Sequence, residues 1–431
     1  MKRRWVGVSL LFGAGIINFV DRNALPLAAP LIAKEFSLTP GEMGIVFSIF
    51  FLGYTLCCFL GGLASDRFGP KRVFTAAMLT WSLFCGLTAL TFNFASLLVV
   101  RILFGAGEGP FSSATNKFIS NWFPKKQVGT AIAAAGAGTT VGGVIAGPVL
   151  GYLFFTFGWR PAFLIIAVAG LVWLFFWVKL SSDSPLTDKR VSDSERLEIL
   201  ADEPESSADE KLLPLRQYLK SPVILATAFA FFGMNYVLYF FLSWYPSYLT
   251  TVHGLNVKDM GMISMIPWLA ATVGYLSGGM LSDRIYRWTG NLLFSRKIML
   301  VVFLSFSGIA IICAGMVKSL IAGVALTSVA MFLLYLTTTS YWAIVQAVVP
   351  KPRVGGVSGF VHALANIAGI TGPAITGFMV QSTNSFASAF ALAGTIAALG
   401  AIAIFVFVKP IRVQDAEPAV LVVGETTTVH Q

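Results

Sequence analysis

Charge is what this sequence has least of. Of its 431 residues only 12% are Asp, Glu, Lys or Arg, while 56% are hydrophobic and the mean hydropathy is +0.78. Soluble domains carry about 25% charged residues, so a water-soluble globular protein is excluded. Cysteine is also sparse. Cys57, Cys58, Cys85 and Cys313 all fall inside apolar runs and have the spacing of neither a metal site nor a redox pair. The chain holds no Gly-x-x-x-x-Gly-Lys-Ser/Thr loop, no His-Glu-x-x-His segment and no Ser, His and Asp set with an evident shared pocket. These absences argue against an enzyme, an ATP-driven pump, a metal site and any cofactor. An ion gradient or the substrate's own gradient is then left as the driving force. No Asn-x-Ser/Thr sequon occurs, which favours a bacterial protein over a eukaryotic surface one.

What the chain does have is long apolar runs. About 20 such residues cross a bilayer, and runs over 5–29, 42–64, 73–92, 96–119, 127–154, 161–179, 223–250, 260–282, 298–316, 319–346, 355–380 and 385–408 predict twelve spans. Lys2-Arg3-Arg4 before the first run resembles the start of a signal peptide, but the run carries Asp21 and Arg22 and continues past residue 28, as a retained span would. The net charge of +10 invites a nucleic-acid reading. Residues 181–220, however, hold ten acidic and six basic side chains, so the basic excess lies in short loops beside apolar segments. With the N-terminus inside, the short inner loops and termini, the linker aside, collect 16 Lys/Arg and the outer loops four: Lys34, Arg160, Lys258 and Lys318. The positive-inside rule then places both termini in the cytoplasm, and nucleic acid is not a partner. Residues 181–222, rich in charge, Ser and Pro, read as a partly disordered cytoplasmic linker. The organisation is a six-span bundle over 1–180, that linker, a second bundle over 223–408 and a cytoplasmic tail over 409–431.

The two halves echo each other. Gly61-Gly62-x-x-Ser65-Asp66-Arg67 recurs as Gly278-Gly279-x-x-Ser282-Asp283-Arg284, Pro124-Lys125-x-x-Val128-Gly129 as Pro350-Lys351-x-x-Val354-Gly355, and Gly147-Pro148 as Gly372-Pro373. The offsets of 217, 226 and 225 agree on one duplication. Two related six-span halves are the signature of an alternating-access carrier with a midplane site between them.

The segment Gly62-x-x-x-Asp66-Arg67-x-Gly69-x-Lys71-Arg72 resembles the loop motif of the major facilitator superfamily, and Gly279, Asp283 and Arg284 form its weaker copy. The resemblance covers essentially the whole chain. It implies an all-α polytopic fold of two pseudo-symmetric six-helix bundles, with these residues at a cytoplasmic gate. Within the superfamily, Asn18-Phe19-Val20-Asp21-Arg22, Arg101-Ile102-x-x-Gly105-x-x-Glu108-Gly109-Pro110 and Asn121-Trp122-Phe123-Pro124 are similar to the anion:cation symporters, especially bacterial carriers of galactonates and hexuronates. That resemblance implicates Asp21 and Glu108 in proton coupling, and Arg22 and Arg101 in anion binding and control of the carboxyls. Tyr54 matches a span-two tyrosine and Trp342 a span-ten aromatic, whereas Thr139 and His362 stand where relatives have glutamine and asparagine. Gly143-x-x-x-Gly147-Pro148-x-x-Gly151 resembles a motif of drug/proton antiporters, with Tyr152 in place of its last glycine.

The intraspan charges support this reading on their own chemistry. A charge at the bilayer centre costs about 2.5–3.5 kcal/mol on insertion scales, yet Asp21, Arg22, Arg101 and Glu108 all fall inside spans, with Lys117 near a span end. On a helix Arg101 and Glu108 share one face about 10.5 Å apart, and Ser112 and Thr115 continue it. Two ion pairs that merely fix helix packing are the structural alternative. Burial raises a carboxyl pKa and a neighbouring guanidinium lowers it, so a carboxyl that gains and loses an Arg neighbour takes up and releases a proton. The guanidinium fork suits a substrate carboxylate. Arg22 is therefore assigned to the substrate, Glu108 to coupling, Asp21 to proton carriage and Arg101 to tuning Asp21. The second half has no mid-span Asp, Glu, Lys or Arg, but it has Asn235, Tyr239, Thr339, Trp342, His362 and Asn366. Asn235/Tyr239 and His362/Asn366 are i,i+4 pairs on one helical face, read as hydroxyl-binding groups or, equally, as interhelical hydrogen bonds. The sequence thus points to a monomeric carrier in the lipid bilayer of the bacterial inner membrane, moving a small organic anion, a hexonate or hexuronate, with a proton. The alternatives are an aromatic or small dicarboxylic acid, a proton/drug antiporter, or a receptor that binds without transport.

Overall fold

In water-free surroundings a helix satisfies every backbone donor and acceptor within one segment, and the chain uses that solution throughout. The computed structural model describes residues 2–186, 188–200, 214–349 and 351–408. The tail assigned to 409–431 and linker residues 201–213 lie outside them. Among the described residues there are twelve helices long and apolar enough to span a membrane. Spans 1–6 are Arg3–Phe36, Pro40–Phe68, Pro70–Leu90, Phe94–Trp122, Thr130–Phe157 and Trp159–Leu180. Spans 7–12 are Pro222–His253, Val257–Thr289, Leu292–Met316, Leu320–Val348, Gly356–Thr383 and Ala387–Phe407. Several run past the apolar stretches because caps, not hydropathy, set their ends. Thr39 and Glu42 form a reciprocal capping box at the start of span 2, and Gly290 turns left-handed, φ 65°, after span 8.

Spans 4 and 10, equivalent under the duplication, are both broken, where the sequence predicts unbroken helices. Helix Phe94–Glu108 is followed by Phe111–Trp122, and Leu320–Leu336 by Thr338–Val348. In span 4 the cause is Pro110, which lacks an N–H and crowds the carbonyl four residues back. The break leaves Glu108 at the end of the first piece.

The two halves meet where small residues let backbones cross. A Cβ on Gly44 of span 2 would lie 2.6 Å from the Pro373 carbonyl oxygen of span 11, and Gly147 of span 5 packs directly on Gly261 of span 8. Gly41 N–H donates to Gln381 Oε1 and Ala374 N–H to Ser48 Oγ, each at 3.0 Å across the same seam. All these contacts lie toward the end away from the termini. At the end carrying the termini and linker, Gly279 and Gly359 have nothing within 4 Å of a built Cβ, and Asp66, Arg67, Arg72, Asp283 and Arg284 are exposed. There the carboxylates stay within their own half: Asp66 pairs with Lys117 at 2.8 Å and Asp283 with Arg296 at 2.9 Å. The molecule is closed at the far end and parted at the near end.

Of the linker expected to be partly disordered, residues 181–186 and 188–200 fold onto the first half. They have little apolar area to bury, and unsatisfied helix ends recruit them instead. Asp183 Oδ1 accepts the Lys71 N–H at 2.7 Å, at the start of span 3. Gly69 beside it has φ 88° and the Asp183 carboxyl where a Cβ would stand, so glycine is required there twice over. Glu195, in the short helix Asp193–Leu200, accepts the N–H groups of Arg3 and Arg4 at 2.8 and 3.0 Å and so caps span 1. Arg4 Nη2 reaches Glu198 at 2.6 Å and Lys2 Nζ reaches it at 2.5 Å. Those hydrogen bonds from Lys2 and Arg4 pull the Glu198 carboxyl down to about 2. Burial raises Asp188, but hydrogen bonds from Arg190 and Arg3 outweigh it and also leave that carboxyl at about 2. Both groups have folded values below the usual carboxylate range, so the clasp is present above that range and lost only as pH falls through it toward 2. Any pH dependence near neutrality arises elsewhere. Glu195→Ala should lower stability by about 1 kcal/mol and speed proteolysis within 188–200; an unchanged digestion rate would mean the cap does not hold the linker.

Candidate functional site

The buried charges of the first half converge where spans 1, 2 and 4 cross. Close approach is set by glycine: a Cβ on Gly105 would collide with the Phe50 carbonyl, and one on Gly53 with that of Ile102. This draws span 4 against span 2 and brings Glu108, fully buried, beside Arg22 of span 1. Arg22 Nη2 and Nε donate to Glu108 Oε2 at 2.6 and 3.1 Å. Glu108 Oε1 has no hydrogen-bond partner. The Arg22 guanidinium also lies over the Tyr54 ring at 4.9 Å and the Phe50 ring at 5.4 Å.

Arg101 does not form the second ion pair that the sequence allows. Its guanidinium rests on Phe50 at 4.8 Å and Phe104 at 5.0 Å, and its Nε is unpartnered. Phe50, 1% exposed, thus contacts two buried guanidiniums, only one of which holds a carboxylate. Asp21, 1% exposed, is not tied to Arg101 either: neither of its oxygens has a hydrogen-bond partner. The tuning of Asp21 by Arg101 therefore has no direct contact behind it. What faces Asp21 is Glu108 and the Trp81 indole of span 3.

The second half closes the site with aromatic and amide groups. The Tyr239 ring packs on Phe51 across the seam at 4.2 Å, and its hydroxyl donates to Asn366 Oδ1 at 2.7 Å. Asn366 Nδ2 in turn donates to the His362 carbonyl oxygen. Both Tyr239 and Tyr335 lie within electrostatic reach of Arg22. His362 stacks on Phe231 at 6.0 Å and meets the edge of Trp342 at 5.8 Å. Asn235 is buried, and Thr339 is exposed one turn before Trp342. Thr139 donates to the Gly136 carbonyl oxygen one turn earlier on its own helix, against Gly15 of span 1. The interhelical hydrogen bond considered for Tyr239 and Asn366 is thus present, and both groups still border the Arg22 site. Sequence reasoning missed Phe50, Phe51, Trp81 and Tyr335. Aromatics are abundant here (37 Phe, 11 Tyr and 10 Trp), so nothing in their spacing marks these out. Asn18, whose Nδ2 is buried without a hydrogen-bond partner next to Glu108, was visible only as part of the span-one motif.

One ion pair rather than two has a measurable consequence. Glu108→Ala, which strands Arg22, should destabilise the protein by about 3–5 kcal/mol. Arg101→Leu should cost only about 1–2 kcal/mol, the worth of its ring contacts. Comparable losses in thermal unfolding of the purified variants would indicate a second pair.

Comparison with known proteins places this geometry in context. The sequence profile of the Major Facilitator Superfamily matches residues 11–295. The chain is 45% identical to the hexuronate transporter of Bacillus subtilis (strain 168) over 94% of each chain. It is 32% identical to a probable sulfoacetate transporter of Cupriavidus necator over 93% of this chain and 92% of that one. Among solved structures, a bacterial homologue of the human lysosomal transporter Spinster, in an inward-facing and occupied conformation, superposes with a TM-score of 0.76 at 18% identity, covering 93% of this chain and 96% of that one.

Proposed function

The chain belongs to the Major Facilitator Superfamily, and from that premise we propose that it is a symporter carrying a sugar acid, a hexuronate or hexonate, with a proton across the bacterial inner membrane. The observation that bears most weight is the Arg22–Glu108 ion pair, enclosed at the meeting point of three spans. The 45% identical hexuronate transporter supports the substrate class. With 16 Lys/Arg on the termini-bearing side, the linker aside, against four opposite, that side is cytoplasmic and the parted end of the structure opens inward. The protein works as a monomer embedded in lipid.

Coupling follows from competition for one guanidinium. Arg22 cannot offer its fork to a substrate carboxylate while Nε and Nη2 hold Glu108. A proton on Glu108 removes the acceptor's charge and frees the fork for bidentate binding of the incoming acid. One proton and one monoanion enter together, so the net charge of the enclosure is unchanged and no additional uncompensated charge is buried. Arg101, free of any carboxylate, adds positive potential that draws anions in. Asp21 carries a proton in the same enclosure and titrates jointly with Glu108. Tyr54 flanks the carboxylate position. Thr139, Asn235, Tyr239, Thr339, His362 and Asn366 offer hydroxyl-directed hydrogen bonds, with Trp342 as an apolar platform for the sugar carbons. Return of the empty carrier requires the Arg22–Glu108 pair to re-form, which ejects the proton. Gly62, Asp66, Arg67, Gly69 and Arg72, with Gly279, Asp283 and Arg284, line the end that must close when the far seam opens.

A second reading, transport of a small dianion, is favoured by the 32% identical probable sulfoacetate transporter and by a second guanidinium, Arg101, that holds no carboxylate. Liposomes containing the purified protein and a trapped pH dye separate the two. Internal acidification by external galacturonate or galactonate, with no response to sulfoacetate, neutral sugars or a cationic dye, is the expected result. Acidification by sulfoacetate alone would replace the sugar acid as substrate, and proton efflux driven by the cationic dye would refute symport. Two variants test the mechanism. Glu108→Gln should retain substrate counterflow and lose gradient-driven accumulation, and full accumulation by that variant would remove Glu108 from coupling. Arg22→Lys, which keeps the charge but loses the fork, should weaken binding at least about tenfold; equal affinity would contradict bidentate capture.

A further inference from the structure

Trp81 is an anomaly among the buried aromatics of span 3. It is 0% exposed and packs with Phe74 and Phe111, ring centroids 6.2 and 6.0 Å away, in surroundings that a phenylalanine would also fill. Its one polar atom, Nε1, has no hydrogen-bond partner. A buried donor left unpaired forfeits the hydrogen bond it had to water, so this indole carries a penalty that packing alone does not explain. The indole interacts with Asp21, whose two carboxyl oxygens are unpartnered as well. Cys85, one turn further along span 3, is also within electrostatic reach of Asp21, so this face of span 3 is the wall of the Asp21 enclosure. The backbone of Trp81 packs against Gly107, next to Glu108, which fixes span 3 at this height.

Asp21 has no cation to call on. Arg22 is occupied by Glu108 and Arg101 rests on Phe50 and Phe104. Glu108 faces it with charge of its own sign, and spans 2 and 3 add Tyr54, Cys58 and Cys85 near the cluster, none of them a cation. Span 5, packed along span 1, contributes Thr139 and Thr140, neither of which is charged. We propose that, once Asp21 has passed its proton to the facing Glu108 carboxylate, the Trp81 indole N–H is the donor that receives the Asp21 carboxylate, which makes Trp81 a positioning residue for proton transfer. The indole N–H donates and cannot accept, so it bonds the ionised carboxylate more strongly than the carbonyl oxygen of the protonated acid. A donor-only partner therefore distinguishes the two states of the carrier, which an arginine fixed in place would do only by suppressing protonation altogether. This inference rests on the assignment of Asp21 to proton carriage.

The test removes the N–H while keeping the shape. Trp81→Phe, and separately a protein with 3-benzothienylalanine at position 81, an indole isostere lacking the N–H, are placed in liposomes. Galacturonate uptake driven by a proton gradient is then followed over a series of external pH values, alongside galacturonate counterflow at saturating substrate. The midpoint of the uptake–pH curve should be displaced by about one pH unit, the scale of a hydrogen bond to a charged group. Counterflow should stay within about threefold, since the ion pair and the anion site are untouched. If the isostere lowers uptake by one factor at every pH and leaves the midpoint in place, Trp81 is packing only and the inference fails. Asp21→Asn in the same assay isolates the underlying reading. Loss of proton-driven uptake in Asp21→Asn with an unmoved midpoint in both Trp81 variants overturns this inference alone, whereas normal proton-driven uptake by Asp21→Asn overturns the proton-carrier assignment and this inference with it.

Discussion

Arg22 and Glu108 sit face to face with a 2.6 Å contact in the interior of a membrane protein, and much of the first half is arranged around that contact. A buried ion pair is poor evidence of stability, because desolvation offsets most of its Coulombic gain and a hydrophobic replacement often does as well. Its presence calls for another explanation, and exchange of partners supplies one. Glycines at 53 and 105 bring spans 2 and 4 into backbone contact, and the Pro110 break leaves Glu108 at a helix end. Phe50 gives Arg101 a face to rest on and so keeps that guanidinium from claiming the same carboxylate. The one ion pair involves Arg22, and under the proposed mechanism a substrate carboxylate takes the place of Glu108 on that guanidinium.

Such an exchange transports only if the two halves move as bodies. The seam at the far end is built for separation: glycine against glycine at 147 and 261, glycine against the Pro373 carbonyl at 44, and few side-chain hydrogen bonds. Contacts of this kind come apart without stranding buried charge. Within the first half the opposite holds. The segment 181–200 ties the starts of spans 1 and 3 and the end of span 4 together through Glu195, Asp183 and the Ser182 carbonyl, which accepts from Trp122 Nε1 at 3.0 Å. Stiffening the first half at its exposed end while leaving the seam lightly bonded favours rocking over internal distortion.

Much of this was legible in the sequence, for reasons that can be named. Twelve spans follow from apolar run length, and the duplication from three motif pairs, because bilayer thickness and helix geometry leave few alternatives. That Asp21, Arg22, Arg101 and Glu108 deserve notice as charges inside spans followed from the cost of charge in lipid, and all four are buried. Their pairing did not follow, since helical spacing places residues on faces but does not say which neighbouring helix arrives. Hence two ion pairs were allowed and one exists. The docking of linker residues 181–200 on the first half was not legible, because composition registers the absence of a core but not the presence of uncapped helix ends that recruit carboxylates. Trp81 and Phe50 were invisible because their roles depend on what lies across a helix interface, in a chain where aromatics are everywhere.

The central claim is that binding of the acid requires Glu108 to give up Arg22 and accept a proton. Infrared difference spectroscopy on membranes containing the protein, recorded on addition of galacturonate, reads that event directly. The account predicts the appearance of a protonated carboxyl C=O band on binding, present in the unmodified protein and missing from Glu108→Gln. Binding without such a band, or with one that persists unchanged in Glu108→Gln, would contradict it.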